Sequence, residues 1–198
     1  MSDLFERAVS ALDSARRASS DFDLNRDVVL PEGRKLRPAG VLVIVEQLES
    51  DWNVYLTKRS SALKHHPGQV AFPGGKQDRE DPDIVATALR EAREEIGLPD
   101  GKVDVLGQLP CHETVTGFEV TPVIARLRDP FDVVKEDGEV EEVFTVPLQH
   151  VLSPDSFRVE SRRWQGRMRS YYAVPYGPYY IWGATARMLK GWADAVHT

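Results

Sequence analysis

The sequence from Ile84 to Leu98 reads IVATALREAREEIGL, and its pattern predicts a helix from Asp83 to Ile96. Apolar residues recur at helical spacing at positions 85, 88, 89, 92 and 96, which places them on one side. Gly97 follows directly, and glycine commonly ends a helix because it adopts the left-handed conformation without strain. We therefore expect a helix that buries one side and leaves the neighbouring side free for charged residues.

Three glutamates lie together on that neighbouring side. Glu91, Glu94 and Glu95 stand at positions i, i+3 and i+4 and therefore project in a similar direction. Like charges at this spacing destabilise a helix by roughly 0.2–0.5 kcal/mol per pair, so a compensating cation is expected. Arg90, four residues before Glu94, is one candidate. A divalent cation such as Mg²⁺ is another, because it prefers oxygen ligands, and a merely solvated acidic face is the simpler alternative.

Strand-like and helical segments surround this helix. Apolar stripes predict an N-terminal helix at residues 2–20 and a C-terminal helix at residues 179–196. The predicted strands are residues 40–47, 52–58, 69–72, 103–109, 118–127, 140–146, 157–160 and 168–174. This order predicts an α/β (α+β) protein with one mixed sheet covered by helices. We expect a single domain over residues 1–198, with its core at about 38–150.

Composition excludes several classes of protein. The 198 residues carry 31 acidic and 25 basic side chains, a net charge of −6, which gives no general attraction for nucleic acid. The longest apolar run, residues 41–45, is too short to span a membrane. Cys111 is the only cysteine and suits a reducing compartment. We therefore expect a cytoplasmic protein without a nucleic acid or membrane partner.

An arginine cluster stands apart from this acidic background. Arg158, Arg162, Arg163, Arg167 and Arg169 fall within one late stretch of the chain. A solvated surface strand is the simpler interpretation of this cluster. Contact with an anion or a phosphate group is the alternative.

The acidic helix and the glycines before it resemble the signature box of the Nudix hydrolases. Gly75 matches the first glycine of that box, and residues 90–98 match its second half at every fixed position. The first half is one residue longer than the consensus, and the first glutamate of the box has no counterpart at the expected spacing. Asp81 stands six residues after Gly75. The resemblance implies an α/β/α sandwich with a mixed sheet.

Two further stretches resemble the coenzyme A pyrophosphatase branch of that family. Residues 56–75, LTKRSSALKHHPGQVAFPGG, resemble the motif that marks the branch, and residues 181–189 resemble its C-terminal helix. Together with the box, the matches extend over residues 40–190. The resemblance implies hydrolysis of coenzyme A or its oxidised or acylated derivatives to 3′,5′-ADP and 4′-phosphopantetheine or its modified form.

The resemblance also assigns roles to particular residues. It implies that Glu91, Glu94 and Glu95 hold Mg²⁺ or Mn²⁺, and that Arg90 orients their carboxylates. A carbonyl of Gly74 or Gly75 would assist. Arg59 and Lys64 would contact the substrate phosphates, although a plain surface position is the alternative for each.

The general base is less defined by the sequence. Glu139 is the candidate, because many family members use a glutamate from a later loop. Glu136, Glu141 and Glu142 compete with it, since alternation along a strand does not decide which side chain points inward. An exposed acidic turn is the other interpretation of Glu139.

Other functions remain open at this point. A Nudix hydrolase for ADP-ribose or a (deoxy)nucleoside triphosphate would need the same box. A non-catalytic Nudix-fold sensor would typically have lost some of the three glutamates, which are all present here. A homodimer is possible. Cys111 and His112 do not form a recognisable nucleophilic pair, and a small buried cysteine is the expected environment.

Overall fold

The computed structural model describes residues 2–15, 17–31, 33–63, 66–164 and 166–198. The helices are α1 (Ser2–Ser14), α2 (Ile84–Ile96), α3 (Leu148–Leu152) and α4 (Ala184–Val196). The strands are β1 (Ser19–Ser20), β2 (Arg37–Leu48), β3 (Asp51–Arg59), β4 (Val70–Ala71), β5 (Gly74–Lys76), β6 (Val103–Gln108), β7 (His112–Glu113), β8 (Phe118–Leu127), β9 (Val140–Pro147), β10 (Arg158–Trp164), β11 (Arg167–Tyr176) and β12 (Tyr179–Trp182). Among the described residues, β1 to β9 form one mixed sheet, and β10, β11 and β12 form a second, smaller sheet.

The strand β2 is the centre of the main sheet. It pairs in parallel with β8 over residues 37–45 and forms a hairpin with β3 at its far end. Near its start it also pairs with β5, where Gly40 is opposite Gly75 and Val41 is opposite Gly74. The two glycines that precede the acidic helix are therefore fixed to the middle of the sheet.

Helices cover both faces of the main sheet. Leu42 and Ile44 of β2 lie in a core cluster with residues of α2, whereas Val43 and Val45 lie in a second cluster with residues of α1, α3 and α4. This alternation is expected of a strand that is buried on both faces. The predicted sandwich of helices around a mixed sheet is confirmed, but the prediction of a single sheet was wrong, because β10, β11 and β12 pair only with one another among the described residues.

The helix α2 forms as the sequence predicts. The carboxylate of Asp83 accepts a hydrogen bond from the Ala86 N–H at 2.8 Å, which satisfies a free donor at the start of the helix. Gly97 ends the helix with a φ of 70°, a conformation that favours glycine. No helix in the described part of the chain is long and apolar enough to cross a membrane.

One predicted boundary of each terminal helix was wrong: the end of the N-terminal helix and the start of the C-terminal helix. The helix α1 ends at Ser14, and Ser19–Ser20 instead pair with His112–Glu113 as β1. The buried His112 ring holds this segment through Ser19 Oγ at 2.9 Å and an Asp21 carboxylate oxygen at 3.1 Å. At the other end, Tyr179–Trp182 form the strand β12, because these aromatic residues pair with β11 before Gly183 allows the turn into α4.

Candidate active site

Gly75 brings the backbone of β5 directly onto the carboxylate of Glu91. A Cβ atom at position 75 would lie 2.6 Å from the carboxyl carbon and both oxygens of Glu91, so any larger residue there would displace the Glu91 carboxylate. The neighbouring Gly74 N–H points to Glu95 Oε2 at 3.4 Å. The structure therefore brings Gly74, Gly75, Glu91 and Glu95 together, as the resemblance implies.

Glu95 is a buried carboxyl group with little compensation for its charge. The residue is only 5 % exposed to solvent. Burial, together with repulsion from Glu91, raises the pKa of Glu95 to about 8, while the nearby Arg59 opposes the shift. Burial also raises the pKa of Glu91, although its hydrogen bond from Arg90 opposes the shift. These two carboxyl groups would be ionised more readily beside a bound cation.

Glu94 has a different environment from the other two glutamates. Its side chain is 54 % exposed, and it accepts a hydrogen bond from Arg90 Nη1 at 3.1 Å. In the described part of the chain, no three His, Cys, Asp or Glu side chains are drawn together closely enough to hold a metal ion. The carboxylate oxygens of Glu91 and Glu95 nevertheless fit a hard divalent cation. The two carboxyl groups are close enough for their charges to interact, and no described Lys or Arg forms an ion pair with Glu95.

Arg90 connects the glutamates to the loop before the helix. Its Nη1 donates to Glu91 Oε1 at 2.9 Å as well as to Glu94, and its Nη2 donates to the Lys76 carbonyl at 3.1 Å. The expected contact with Glu94 is therefore present. Because one planar guanidinium binds groups on the helix and on the loop, it fixes the orientation of the Glu91 carboxylate.

Asp81 is the residue of this network that the sequence analysis did not assign to the site. Its two carboxylate oxygens accept hydrogen bonds from Arg90 Nε and Nη2 at 3.0 and 2.9 Å. Thr87 Oγ1 and the Asp78 N–H also donate to it. The Arg90 guanidinium holds the pKa of Asp81 well below its usual range. Asp81 thus supports the loop, where the box consensus would place a glutamate at a different spacing.

Among the four competing glutamates, Glu139 is the one whose charge is among the leading contributions to the raised pKa values of Glu91 and Glu95. Its charge contributes to the raised pKa of both, after burial and the other charges. The other three are engaged elsewhere. Glu136 accepts from the Gly138 and Glu139 N–H groups, Glu141 accepts from Lys58 Nζ at 2.6 Å, and Glu142 accepts from the Tyr179 hydroxyl.

Backbone hydrogen bonds hold the Glu139 turn against α2 and against the end of β3. The Val134 and Glu136 N–H groups donate to the carbonyls of Ile96 and Glu95 at 3.1 and 2.9 Å. The Ser60 N–H donates to the Glu139 carbonyl at 2.8 Å. The turn is therefore fixed at both ends relative to the acidic helix.

Arg59 lies close enough to Glu95 for its charge to lower the pKa of that carboxyl group. It is the last residue of β3, and alternation along β3 places it on the same side as Tyr55, which packs in the cluster around α2. Lys64, the other expected phosphate contact, lies outside the described residues.

Cys111 is partly buried, and burial raises the pKa of its thiol. The His112 ring is hydrogen-bonded to Ser19 and Asp21.

The family of the chain follows from comparison with known proteins. The model of the NUDIX domain matches residues 36–165. The chain is 36 % identical over 171 residues to "Uncharacterized Nudix hydrolase NudL" from Enterobacter sp., covering 86 % of this chain and 88 % of that protein. The chain belongs to the Nudix hydrolase family. The protein of the same name from Photorhabdus laumondii is 35 % identical over 196 residues. This alignment covers 99 % of this Nudix chain and 97 % of that protein.

Two solved structures match a smaller part of the chain. A C. elegans Ap4A hydrolase binary complex has a TM-score of 0.49 at 22 % identity, over 58 % of this chain and 82 % of its own. The NUDIX domain of Shewanella oneidensis NrtR, solved with ADP ribose, has a TM-score of 0.47 at 20 % identity, over 64 % of this chain and 83 % of its own. As a Nudix hydrolase, the protein is a pyrophosphohydrolase that acts on a nucleoside diphosphate-linked substrate.

Proposed function

We propose that this Nudix hydrolase cleaves the diphosphate bond of coenzyme A and of its oxidised or acylated derivatives, releasing 3′,5′-ADP and 4′-phosphopantetheine or its modified form. The observation that carries the proposal is the position of the described residues of 56–63 and 66–75, which belong to the stretch that resembles the coenzyme A branch. This stretch brings Arg59 near Glu95 and places Gly74 and Gly75 against the carboxylates of α2.

The proposed cofactor is Mg²⁺ or Mn²⁺, held by Glu91 and Glu95, with Glu94 as the third carboxylate. When bound, such a cation neutralises phosphate charge and lowers the pKa of water. The chain supplies the remaining functions. Gly75 leaves space for close approach to the carboxylates, and Arg90 keeps Glu91 oriented through its hydrogen bond.

The proposed roles of Arg59 and Glu139 follow from their proximity to Glu95, whose pKa responds to both charges. Arg59 would donate to phosphate oxygens, because a guanidinium matches phosphate geometry with two parallel hydrogen bonds. Glu139 would accept a proton from the attacking water, since its charge already acts on the glutamate pair. The Glu139 carbonyl accepts a hydrogen bond from the Ser60 N–H, and the Arg59 N–H donates to the Gln69 carbonyl.

The test compares four substrates at equal concentration with Mg²⁺ and then with Mn²⁺: coenzyme A, dephospho-coenzyme A, ADP-ribose and dGTP. We expect 3′,5′-ADP to be released from coenzyme A with the highest kcat/KM. A Glu95→Gln preparation, purified in parallel, identifies activity from a contaminating enzyme. Fast cleavage of ADP-ribose or dGTP beside slow cleavage of coenzyme A would contradict the proposal, and binding of coenzyme A without any turnover would favour a sensor.

We also propose a cytoplasmic location, supported by the single cysteine and its expected reducing compartment. A homodimer stays a prediction, and light scattering of the purified protein tests it.

A further inference from the structure

One face of the small sheet carries exposed arginines, although Ala173 on the same face is fully buried. Residues opposite each other on neighbouring strands share a face, and the register pairs Arg162 with Arg169 and Ala173 with both Arg158 and Trp182. These residues therefore lie on one face, here called the outer face. The opposite face carries Val174 and Ile181, which are buried in the core cluster with α4.

Two arginines of the outer face, Arg162 and Arg169, lie over aromatic rings. The Arg162 guanidinium lies 4.3 Å from the centroid of the Trp182 ring, and the Arg169 guanidinium lies 4.2 Å from that of Trp164. A stacked guanidinium uses its flat side against the ring, so its N–H edge stays available for an anion. The stacking also restricts the side chain before any ligand arrives, which reduces the entropy that binding must overcome.

The arginines outnumber the acidic residues in this part of the chain, and the one carboxylate of the segment, Glu160, lies between Arg158 and Arg162 on the outer face. In the described part of the chain, the arginines of residues 158–169 form no ion pair, whereas Arg90 of the acidic site pairs with Asp81, Glu91 and Glu94. The single acidic residue of this segment, Glu160, accepts a hydrogen bond from the Tyr180 hydroxyl. A segment with five arginines and one glutamate thus stands on a protein of net charge −6.

One end of the outer face adjoins the segment that carries Arg59. Trp182 is followed by Gly183, where a Cβ atom would lie 3.7 Å from the side-chain nitrogen of Gln69. The Gln69 carbonyl in turn accepts the N–H of Arg59 at 2.9 Å. The Thr185 hydroxyl donates to the Val70 carbonyl at 3.1 Å and fixes this contact. The Arg162 guanidinium lies over Trp182, at the end of the face that is nearest to Arg59.

We propose that the outer face binds a phosphate monoester carried by the nucleoside end of the substrate, with Arg162 and Arg158 as its donors beside Trp182. The inference rests on the proposed function, because coenzyme A carries such a group on its ribose. The carboxylates of the acidic helix repel such an anion. Two guanidinium groups on a neighbouring surface match its charge and its oxygen geometry.

The test uses Arg162→Ala, with Arg163→Ala as the matched control. Arg163 is the next residue of β10, and its side chain lies on the opposite face, paired with Met168. We measure kcat/KM for coenzyme A and dephospho-coenzyme A. Arg162→Ala should lower the preference for the phosphorylated substrate about tenfold, through KM, and Arg158→Ala should lower it less. Arg163→Ala should leave the preference unchanged.

A binding measurement separates this inference from the proposed function. Calorimetry compares 3′,5′-ADP with 5′-AMP on the wild-type protein and on both variants, without any turnover. Tighter binding of 3′,5′-ADP that is lost only in Arg162→Ala supports the site, even if coenzyme A is not the substrate. Equal affinity for the two nucleotides, or equal losses in Arg162→Ala and Arg163→Ala, overturns it.

Discussion

Arginine is held in two different ways in two regions of this protein. Beside α2, Arg90 has a side chain that is only 18 % exposed, and it binds the carboxylates of Asp81, Glu91 and Glu94. On the small sheet, Arg162 and Arg169 lie on tryptophan rings and form no ion pair with a described carboxylate. The first arrangement neutralises the charge of the arginine, and the second leaves that charge available to bind an external anion.

The difference indicates what each region can do. A partly buried guanidinium enclosed by carboxylates orients those carboxylates, and removal of one partner leaves uncompensated charge. A guanidinium on an exposed aromatic ring contributes little to the fold and can bind an external anion. We therefore expect substitutions around α2 to reduce turnover or stability strongly, and substitutions on the small sheet to change substrate preference alone.

The largest effect is expected for Glu95→Gln. The side chain keeps its size but loses the negative charge beneath Gly74, so we expect at least a 100-fold loss of kcat. The effect should be on kcat because the group acts on the reacting phosphate rather than on distant parts of the substrate. Glu6→Gln is the control, since Glu6 is exposed on α1, which covers the opposite face of the sheet. Circular dichroism checks the fold, and activity near that of the wild type would exclude Glu95 as a metal ligand.

The next effect is expected for Asp81→Asn, which removes the carboxylate that receives two hydrogen bonds from Arg90. Arg90 would then be less fixed, and Glu91 with it, so we expect a loss of about 10–100-fold in activity or in metal affinity. The matched control is Asp78→Asn, because Asp78 lies 3.8 Å from Arg90 and its side chain is 53 % exposed. If both variants lose the same amount, Asp81 has no special role in the loop. Titration of activity with Mn²⁺ measures the change in affinity.

Asp81 also shows where sequence reasoning stops. The apolar stripe, Asp83 and Gly97 define α2 without any structure, since their effects are local. The proximity of Gly75 to Glu91 follows from the box resemblance. Asp81 stands at an unexpected spacing in a loop that is one residue longer, so only the folded loop reveals its two hydrogen bonds to Arg90.

Long-range pairing explains the other differences from the sequence predictions. Glu139 could not be separated from its neighbours, because the contact that fixes its turn is made by Ser60, far away in the chain. The segment Tyr179–Trp182 joins a helical stripe in the sequence, but pairing with β11 makes it a strand. The register between β11 and β12 also decides on which face of the small sheet Trp182 lies.

A moderate effect is expected for Arg59→Ala. If Arg59 binds a phosphate of the substrate, its loss should raise KM for coenzyme A about tenfold with a smaller change in kcat. Arg79→Ala is the control, because Arg79 is an exposed cation in the loop before α2. This prediction separates Arg59 from Arg162, since Arg59→Ala should affect coenzyme A and dephospho-coenzyme A equally. An unequal effect would mean that Arg59 contacts the ribose phosphate rather than the diphosphate.

The smallest effect concerns stability in the absence of a divalent cation. The folded protein raises the pKa of Glu95 to about 8, whereas the unfolded chain has the ordinary value. A raised carboxyl pKa costs stability as the pH rises, because the unfolded state ionises first. With EDTA present, we expect the free energy of unfolding to fall by roughly 2 kcal/mol between pH 6 and 8 and then to level off. For a chain of this length this is a fall in Tm of about 5 °C.

Three variants and the addition of a divalent cation test whether the fall in stability comes from the acidic site. Saturating Mg²⁺ should reduce the fall in Tm, because a bound cation favours the ionised carboxylate. Glu95→Gln should abolish the fall, since it has no titrating group at this position. Arg162→Ala and Arg163→Ala should keep the wild-type profile, because the small sheet holds its charge in solvent. A fall of the same size in Glu95→Gln would assign the titration to another group and would remove the buried charge from the explanation of the site.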